Sequence, residues 1–263
     1  LIKLIASDMD GTLLTPEGKI PEEFFDIFKK LKEKDIEFVV ASGRPYKTLY
    51  KNFGPICDDI SYISDNGAMV VEDGKITSLE IMDKNIVEKI ANACLKIKNI
   101  CVIFCGVKNF YQLPCDLNTQ KEIDKYYLNK TIVNSYNEID DDIFKISICD
   151  MNGALTHSYP ILHENLLEIE GKIKMVVAGE YWTDITNIDV NKGTAIAKIQ
   201  KLKNISKEET MVFGDYFNDV EMLEQAYYSY VMEDALDEMK AHGNFIAKSN
   251  KENGVLQVIK SIL

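Results

Sequence analysis

The reading of this chain turns on Leu4-Ile5-Ala6-Ser7-Asp8-Met9-Asp10-Gly11-Thr12-Leu13-Leu14. Residues 2–7 are apolar enough for a buried strand, and the turn-prone Asp8-Met9-Asp10-Gly11 follows at once. A helix comes next. Pro21 suits a first helical position, Glu22 and Glu23 suit the positive helix end, and Phe24, Ile27, Phe28 and Leu31 repeat at helical spacing. A second strand, Glu37–Ala41, stops at Ser42-Gly43-Arg44-Pro45, and a third, Ser61–Ser64, stops at Asp65-Asn66-Gly67. Strands that alternate with helices and end in polar, glycine-bearing loops are the grammar of an open parallel α/β sheet, whose ligands bind at the carboxyl ends of the strands.

The pattern changes after Glu72-Asp73-Gly74-Lys75, which reads as a hairpin turn. Beyond it the spacing predicts helix 83–97, strands 100–106 and 109–114, helix 118–129, strand 143–150, helix 155–168, and strands 172–178 and 181–187. Doubled strands predict a mainly antiparallel sheet with helices on one face, an α+β unit inserted into the first. The earlier grammar then resumes with helix 192–203, strand 210–213, the loop Gly214-Asp215-Tyr216-Phe217-Asn218-Asp219, and a terminal helix at about 253–262.

At roughly 150 residues per domain, 263 residues make one or two domains. A composition 46% hydrophobic and 27% charged excludes a disordered chain, a collagen-like fibre and a cysteine-dense scaffold. The net charge of −12 argues against nucleic acid as a partner, because phosphate backbones recruit lysine- and arginine-rich surfaces. An anionic substrate must therefore be met by local cations, a metal or helix N-termini. The most apolar stretch, residues 100–107, is less than half the roughly 20 residues of a membrane span, so no membrane partner is expected. The first residues run straight into charge and do not read as a signal peptide. A cytoplasmic location is expected, with the six cysteines as reduced, mostly buried thiols. His157, His163 and His242 fit surface or capping roles, and a monomer is compatible with everything in the sequence.

Several common sites are absent. There is no G-x-G-x-x-G, Walker loop, G-x-S-x-G elbow or H-E-x-x-H helix. What stands out is carboxylates at strand ends: Asp8 with Asp10, and Asp215 with Asp219. Carboxylates gathered this way repel one another and usually share a cation, and oxygen-only ligands point to Mg²⁺. The D-x-D pair alone is ambiguous, since strand-end Asp also serves simple turns, and glycosyltransferases use D-x-D for metal.

Four segments in order are far more specific: Asp8-Met9-Asp10-Gly11-Thr12-Leu13-Leu14, Ser42-Gly43-Arg44-Pro45, Asn191-Lys192-Gly193 and Gly214-Asp215-Tyr216-Phe217-Asn218-Asp219. With them the chain resembles the haloacid dehalogenase superfamily, and most of all its Cof-type sugar-phosphate phosphatases. The resemblance covers nearly the whole chain. It implies an α/β fold, with a Rossmann-like catalytic core from residues 1–78 and 187–263. An inserted α+β cap at residues 79–186 would set specificity, with the linkers as hinges.

The same resemblance implies the chemistry. Asp8 would be the nucleophile and form an aspartyl phosphate. Asp10 would protonate the leaving alcohol and then deprotonate the hydrolytic water. Mg²⁺ would be held by the carboxylates of Asp8 and Asp215 and the carbonyl oxygen of Asp10. Ser42 and the Gly43 backbone would bind a phosphate oxygen, with backbone N–H groups of the Met9–Gly11 turn beside them. Lys192 would offset charge on the nucleophile and the phosphoryl group. Asn66 would be a further substrate contact, Asn218 would contact the phosphate or a metal-bound water, and Asp219 would orient Lys192 or a metal-bound water. Arg44 would bind substrate or pair with an acid of the core, and Thr12 would tighten its own turn.

Two departures from the family pattern matter. Tyr216 and Phe217 stand where a small pair is common, and are expected to pack, or else to narrow the site mouth. Met232-Glu233-Asp234-Ala235 replaces a Met-Gly-Asn-Ala segment. The reading is a Mg²⁺-dependent hydrolase of a small phosphorylated metabolite, a sugar phosphate first of all. A phosphomannomutase-like phosphotransferase and a non-catalytic phosphate sensor are the alternatives.

Overall fold

A computed structural model describes residues 1–127 and 129–263. The chain divides into two compact units, Leu1–Leu79 with Asn191–Leu263, and Glu80–Val190. The first half of the first unit runs β1 (Leu4–Ser7), α1 (Glu23–Glu33), β2 (Glu37–Ala41), α2 (Tyr46–Asn52), β3 (Ser61–Ser64), β4 (Met69–Glu72) and β5 (Lys75–Leu79). The inserted unit runs α3 (Lys84–Cys94), β6 (Ile100–Gly106), β7 (Phe110–Gln112), α4 (Leu117–Ile123), β8 (Lys130–Ile132), β9 (Ile143–Asp150), α5 (Tyr159–Leu166), β10 (Ile173–Val177) and β11 (Trp182–Asn187). The first unit resumes with α6 (Lys192–Lys203), β12 (Thr210–Gly214), α7 (Val220–Leu223), β13 (Tyr228–Met232), α8 (Asp237–Lys240), β14 (Phe245–Ala247) and α9 (Gly254–Lys260).

The first unit holds an eight-stranded sheet in the order β14-β13-β12-β1-β2-β3-β4-β5. Its strands pair parallel from β14 to β3, and the β3–β4 and β4–β5 pairs are antiparallel. Parallel strands need both faces covered, which is why β1 and β12 are mostly apolar and fully buried. On one face Ala195, Ile196 and Ile199 of α6 and Met222 and Leu223 of α7 pack with Leu4, Ala6, Val39 and Val212. On the other, Phe24 of α1 meets Phe38 edge-on at 4.9 Å and Phe53 at 5.9 Å. The helix 46–52 gives no stripe in the sequence, because Leu49 is its only buried residue.

The inserted unit holds a six-stranded sheet, β10-β11-β9-β6-β7-β8, antiparallel except for the β7–β8 pair. Ile86, Val87 and Ile90 of α3 and Leu162 and Leu166 of α5 cover Val102, Phe104, Ile146, Ile148 and Ile185 on one face. The expectation of helices on one face only needs correction. Side chains alternate along a strand, so Ser147 and Trp182 lie on the opposite face. There the Tyr127 hydroxyl meets Ser147 Oγ at 2.9 Å, and the Trp182 indole N–H donates to Glu122 Oε1 of α4 at 3.4 Å. The expected helix 118–129 is shorter than its pattern: Asp116 caps it, it ends at Ile123, and Leu128 lies outside the described residues.

All six cysteines are free thiols, four of them buried. His157 Nδ1 lies 2.8 Å from Asp150 Oδ2, the oxygen that also accepts from the Ser158 N–H at the start of α5. Among the described residues no helix is long and apolar enough to cross a membrane.

Gly67 ties the turn after β3 to the start of α6. Its φ is +105°, and a Cβ there would lie 2.2 Å from the Asn191 carbonyl oxygen. Gly67→Ala combines a strained backbone with a clash against fixed main chain. It is expected to cost more than about 2 kcal/mol, read as a fall in urea midpoint with the m-value unchanged.

Candidate active site

Asp8 follows β1, and β1 is the strand from which the chain leaves in both directions. β2 and β3 lie to one side of it, and β12, β13 and β14 to the other. An open sheet has its crevice at such a reversal of strand order, outside the carboxyl ends. The Asp8 N–H donates to the Phe213 carbonyl at 3.0 Å, so the end of β1 lies against the Gly214-Asp215 turn. Gly11, at φ +79°, makes that approach possible, since a Cβ there would sit 2.3 Å from Asp215 Oδ2. Thr12 is placed differently from its expected role. Its hydroxyl donates to Asp215 Oδ1 at 2.9 Å, orienting a carboxylate 203 positions away rather than closing its own turn.

Lys192 opens α6 and is fully buried. Asn191 caps the helix, its Oδ1 accepting from the Thr194 N–H at 2.7 Å, and so sets where the lysine enters. Lys192 Nζ donates to Asp8 Oδ1 at 2.5 Å and to Asp219 Oδ1 at 2.6 Å. Asp219 Oδ2 accepts the N–H groups of Asp215 at 3.0 Å and Tyr216 at 3.2 Å. Asp219 thus holds both the lysine and the loop.

Oxygens of Asp8, Asp215 and Asp219 lie within 4.8 Å of one another, each offering one ligand atom. Both oxygens of Asp219 are already engaged, and among the described residues Asp8 and Asp215 each direct only Oδ1 to a protein donor. Asp8 and Asp215 are therefore the carboxylates suited to a cation. Burial pushes the Asp8 carboxyl well above its ordinary range; Lys192 opposes this, and Asp219 and Asp215 reinforce it. Burial pushes Asp215 up to about 6, against the pull of the Thr12 hydrogen bond. Burial lowers Lys192, but Asp219 and Asp8 outweigh it and hold the ammonium above its usual range. Buried carboxylates that resist ionisation when alone, with oxygen the only donor atom, fit a hard divalent cation such as Mg²⁺.

The remaining predicted residues form a rim. Ser42 is buried at the end of β2, its N–H donating to Ile63 O at 2.9 Å and its Oγ accepting from the Arg44 N–H at 3.2 Å. Asn66, at φ +56°, donates its N–H to Ser42 O at 3.0 Å, and the Asn218 amide donates to Asn66 Oδ1 at 3.0 Å. A Cβ on Gly43 would lie 3.0 Å from the Asn66 amide. The Met9 side chain is fully buried, which leaves its backbone for any ligand. Asp10 stands outside the carboxylate cluster, on the exposed side of the turn. Arg44 grips both its oxygens, Nη2 to Oδ1 at 2.5 Å and Nε to Oδ2 at 3.0 Å. Of the two readings open for Arg44, the structure therefore has it on an acid, and that acid is Asp10.

The family model for haloacid dehalogenase-like hydrolases matches residues 5–259. The chain belongs to that family. Among its curated relatives is YbjI of Escherichia coli K12, a 5-amino-6-(5-phospho-D-ribitylamino)uracil phosphatase, 32% identical over 100% of this chain and 96% of that protein. YwtE of Bacillus subtilis 168 carries the same description and is 27% identical over 100% of this chain and 98% of its own. A solved structure from Streptococcus mutans UA159 superposes with a TM-score of 0.86 at 29% identity, covering 100% of this chain and 99% of that one. This member of the haloacid dehalogenase-like hydrolases is a Cof-type phosphatase.

The site makes a pH prediction. The folded-state pKa of Asp215 is raised, so the native protein favours its protonated form, and a cation must displace that proton below about pH 6. Mg²⁺ affinity measured by calorimetry is expected to fall up to about tenfold per pH unit below 6 and to level off above 7. By the same sign, the metal-free protein loses stability as pH rises through this range. Asp215→Asn is therefore expected to raise the metal-free Tm at pH 7.5 by a few degrees while abolishing stabilisation by Mg²⁺.

Proposed function

We propose that this phosphatase hydrolyses phosphate monoesters of small polyhydroxylated metabolites, sugar phosphates or their ribityl relatives, by phosphoryl transfer to Asp8 with Mg²⁺ bound. The observation that carries the reading is the buried Asp8 carboxylate, held 2.5 Å from Lys192 Nζ at the strand-order reversal and beside Asp215. Lys192 steadies one carboxylate oxygen, which would also face the cation, and leaves the other to attack phosphorus. Its ammonium also offsets the charge that gathers when a dianionic ester approaches a carboxylate. Mg²⁺, held by Asp8, Asp215 and the Asp10 carbonyl, would supply further charge neutralisation when bound.

Asp10 is the acid and base of the two half-reactions. It protonates the departing alkoxide as the aspartyl phosphate forms, then takes a proton from the water that cleaves it. Its bidentate pair with Arg44 has to open for either transfer, and the phosphate dianion is an alternative partner for the guanidinium. Ser42, Gly43, Asn66 and Asn218 line the phosphate's other side. The inserted unit, Glu80–Val190, serves as the specificity cap. The substrate range rests on the relatives at 32% and 27% identity, both described as phosphatases of a phosphorylated ribitylamino compound. A location in the cytoplasm fits this metabolite class.

The test is phosphate release from hexose, pentose and ribitol phosphates. EDTA should abolish it and Mg²⁺ restore it; release that survives metal removal would sink the mechanism. Asp10→Ala is expected to lower kcat by about 10²–10⁴-fold with an unchanged Tm, and Asp8→Asn to remove turnover altogether.

A further inference from the structure

The Thr12 hydroxyl is buried, and neither of the two loops it joins is built on it. Thr12 is 1% exposed, and its Oγ1 donates to Asp215 Oδ1 at 2.9 Å. The turn that carries Thr12 is closed by backbone: the Leu13 N–H donates to Asp8 O at 3.2 Å and the Leu14 N–H to Met9 O at 2.8 Å. The loop that carries Asp215 is held by Asp219 Oδ2, which accepts the N–H groups of Asp215 and Tyr216. Among the described residues the Thr12 hydroxyl is the one donor on the Asp215 carboxylate. What it governs is how that carboxylate is turned.

The turn of the carboxylate decides how many oxygens Asp215 offers a cation. With Oδ1 on Thr12, Oδ2 lies over Gly11, where a Cβ would come within 2.3 Å of it. Gly11 directly follows the Asp10 carbonyl, another candidate ligand. Asp8 must keep one oxygen for phosphorus, so it gives a cation one. Asp215 is the carboxylate whose choice between one oxygen and two is open, and presenting both to one ion would give up the Thr12 bond. Cations differ in what they ask here. Mg²⁺ holds to a near-ideal octahedron, which the narrow bite of a two-oxygen carboxylate distorts, whereas Ca²⁺ takes about six to eight oxygens and accepts both from one carboxylate.

We propose that Thr12 is a positioning residue that sets the metal selectivity of this site: by holding Asp215 to a single oxygen it favours Mg²⁺ over Ca²⁺. This rests on the reading of Asp8 and Asp215 as the cation ligands of a phosphatase, and it assigns a role to a residue outside that ligand set.

The test is calorimetric, with no substrate present. Mg²⁺ and Ca²⁺ are titrated separately into the full chain at pH 8, above the range in which Asp215 holds its proton. The forms compared are the unsubstituted protein, Thr12→Val, which keeps the shape and loses the hydroxyl, and Thr12→Ser, which keeps the hydroxyl. The metal-free Tm of each is recorded beside its affinities, and Thr12→Ala carries the comparison if the valine variant does not fold. The unsubstituted protein should bind Mg²⁺ about tenfold or more tighter than Ca²⁺. Thr12→Val should lower that ratio about tenfold, mainly through weaker Mg²⁺ binding, and Thr12→Ser should keep it within about threefold. A merely structural hydroxyl would lower Tm and weaken both ions together. A Thr12→Val ratio within about threefold of the unsubstituted protein's therefore overturns the proposal, however Tm moves. A Thr12→Ser ratio that falls as far as the valine's overturns it as well, because the hydroxyl is then not the cause. Equal affinity for both ions in the unsubstituted protein removes the selectivity while leaving the phosphatase reading intact. If that protein binds neither ion and releases no phosphate from any monoester, the reading of the site falls and this inference with it.

Discussion

The buried ammonium of Lys192, gripped between Asp8 and Asp219, is the interaction on which the rest of this site depends. All three groups are out of water, and each is tolerable only because of the others. Removing one partner of such a group commonly costs about 3–5 kcal/mol, because a charge is left buried without compensation. The arrangement also dictates backbone. The start of α6 must reach the end of β1, so Asn191 caps there, and Gly193 lies where a Cβ would meet the Glu221 carbonyl at 2.2 Å. The loop after β12 must present Asp219 from the other side, which its two N–H bonds to Asp219 Oδ2 secure.

Charge balance then leads from structure to chemistry. One lysine serves two carboxylates, and Asp215 adds a third, so the pocket carries an excess of negative charge that burial makes expensive. A divalent cation would offset that excess, and in the proposed reaction it would prepare the pocket for a phosphate dianion. The chain's overall acidity is therefore no obstacle to an anionic substrate: the charge that matters is local, and it is arranged around Asp8.

Much of this was legible in the sequence. β2 and β3 stand where their apolar runs place them, and the hairpin after Glu72, the long helix from Lys192 and strand β9 follow the same rule. The elements that escaped detection lack a periodic buried face. Helix 46–52 buries one residue, and β8 is three residues long and largely exposed. Residue roles that depend on partners distant in sequence escaped for a different reason. Nothing near Thr12 announces a bond to Asp215, and nothing near Arg44 selects Asp10. Hydrophobicity argued for packing Tyr216 and Phe217, but their loop is anchored through polar groups and leaves the rings outside.

The sequence by itself determined the alternation of strands and helices, the insertion between them, and which residue types end each strand. These are properties of local periodicity and of turn chemistry, readable a few residues at a time. Tertiary structure alone decided which of those strand-end groups meet. The lysine of α6 reaches the aspartate of β1 across 184 positions only because β1 and β12 are neighbours at the centre of the sheet. Burial, which sets the charge states of Asp8 and Asp215, is likewise a property of the packed chain: it depends on what the other units of structure exclude from water, and no single segment encodes it.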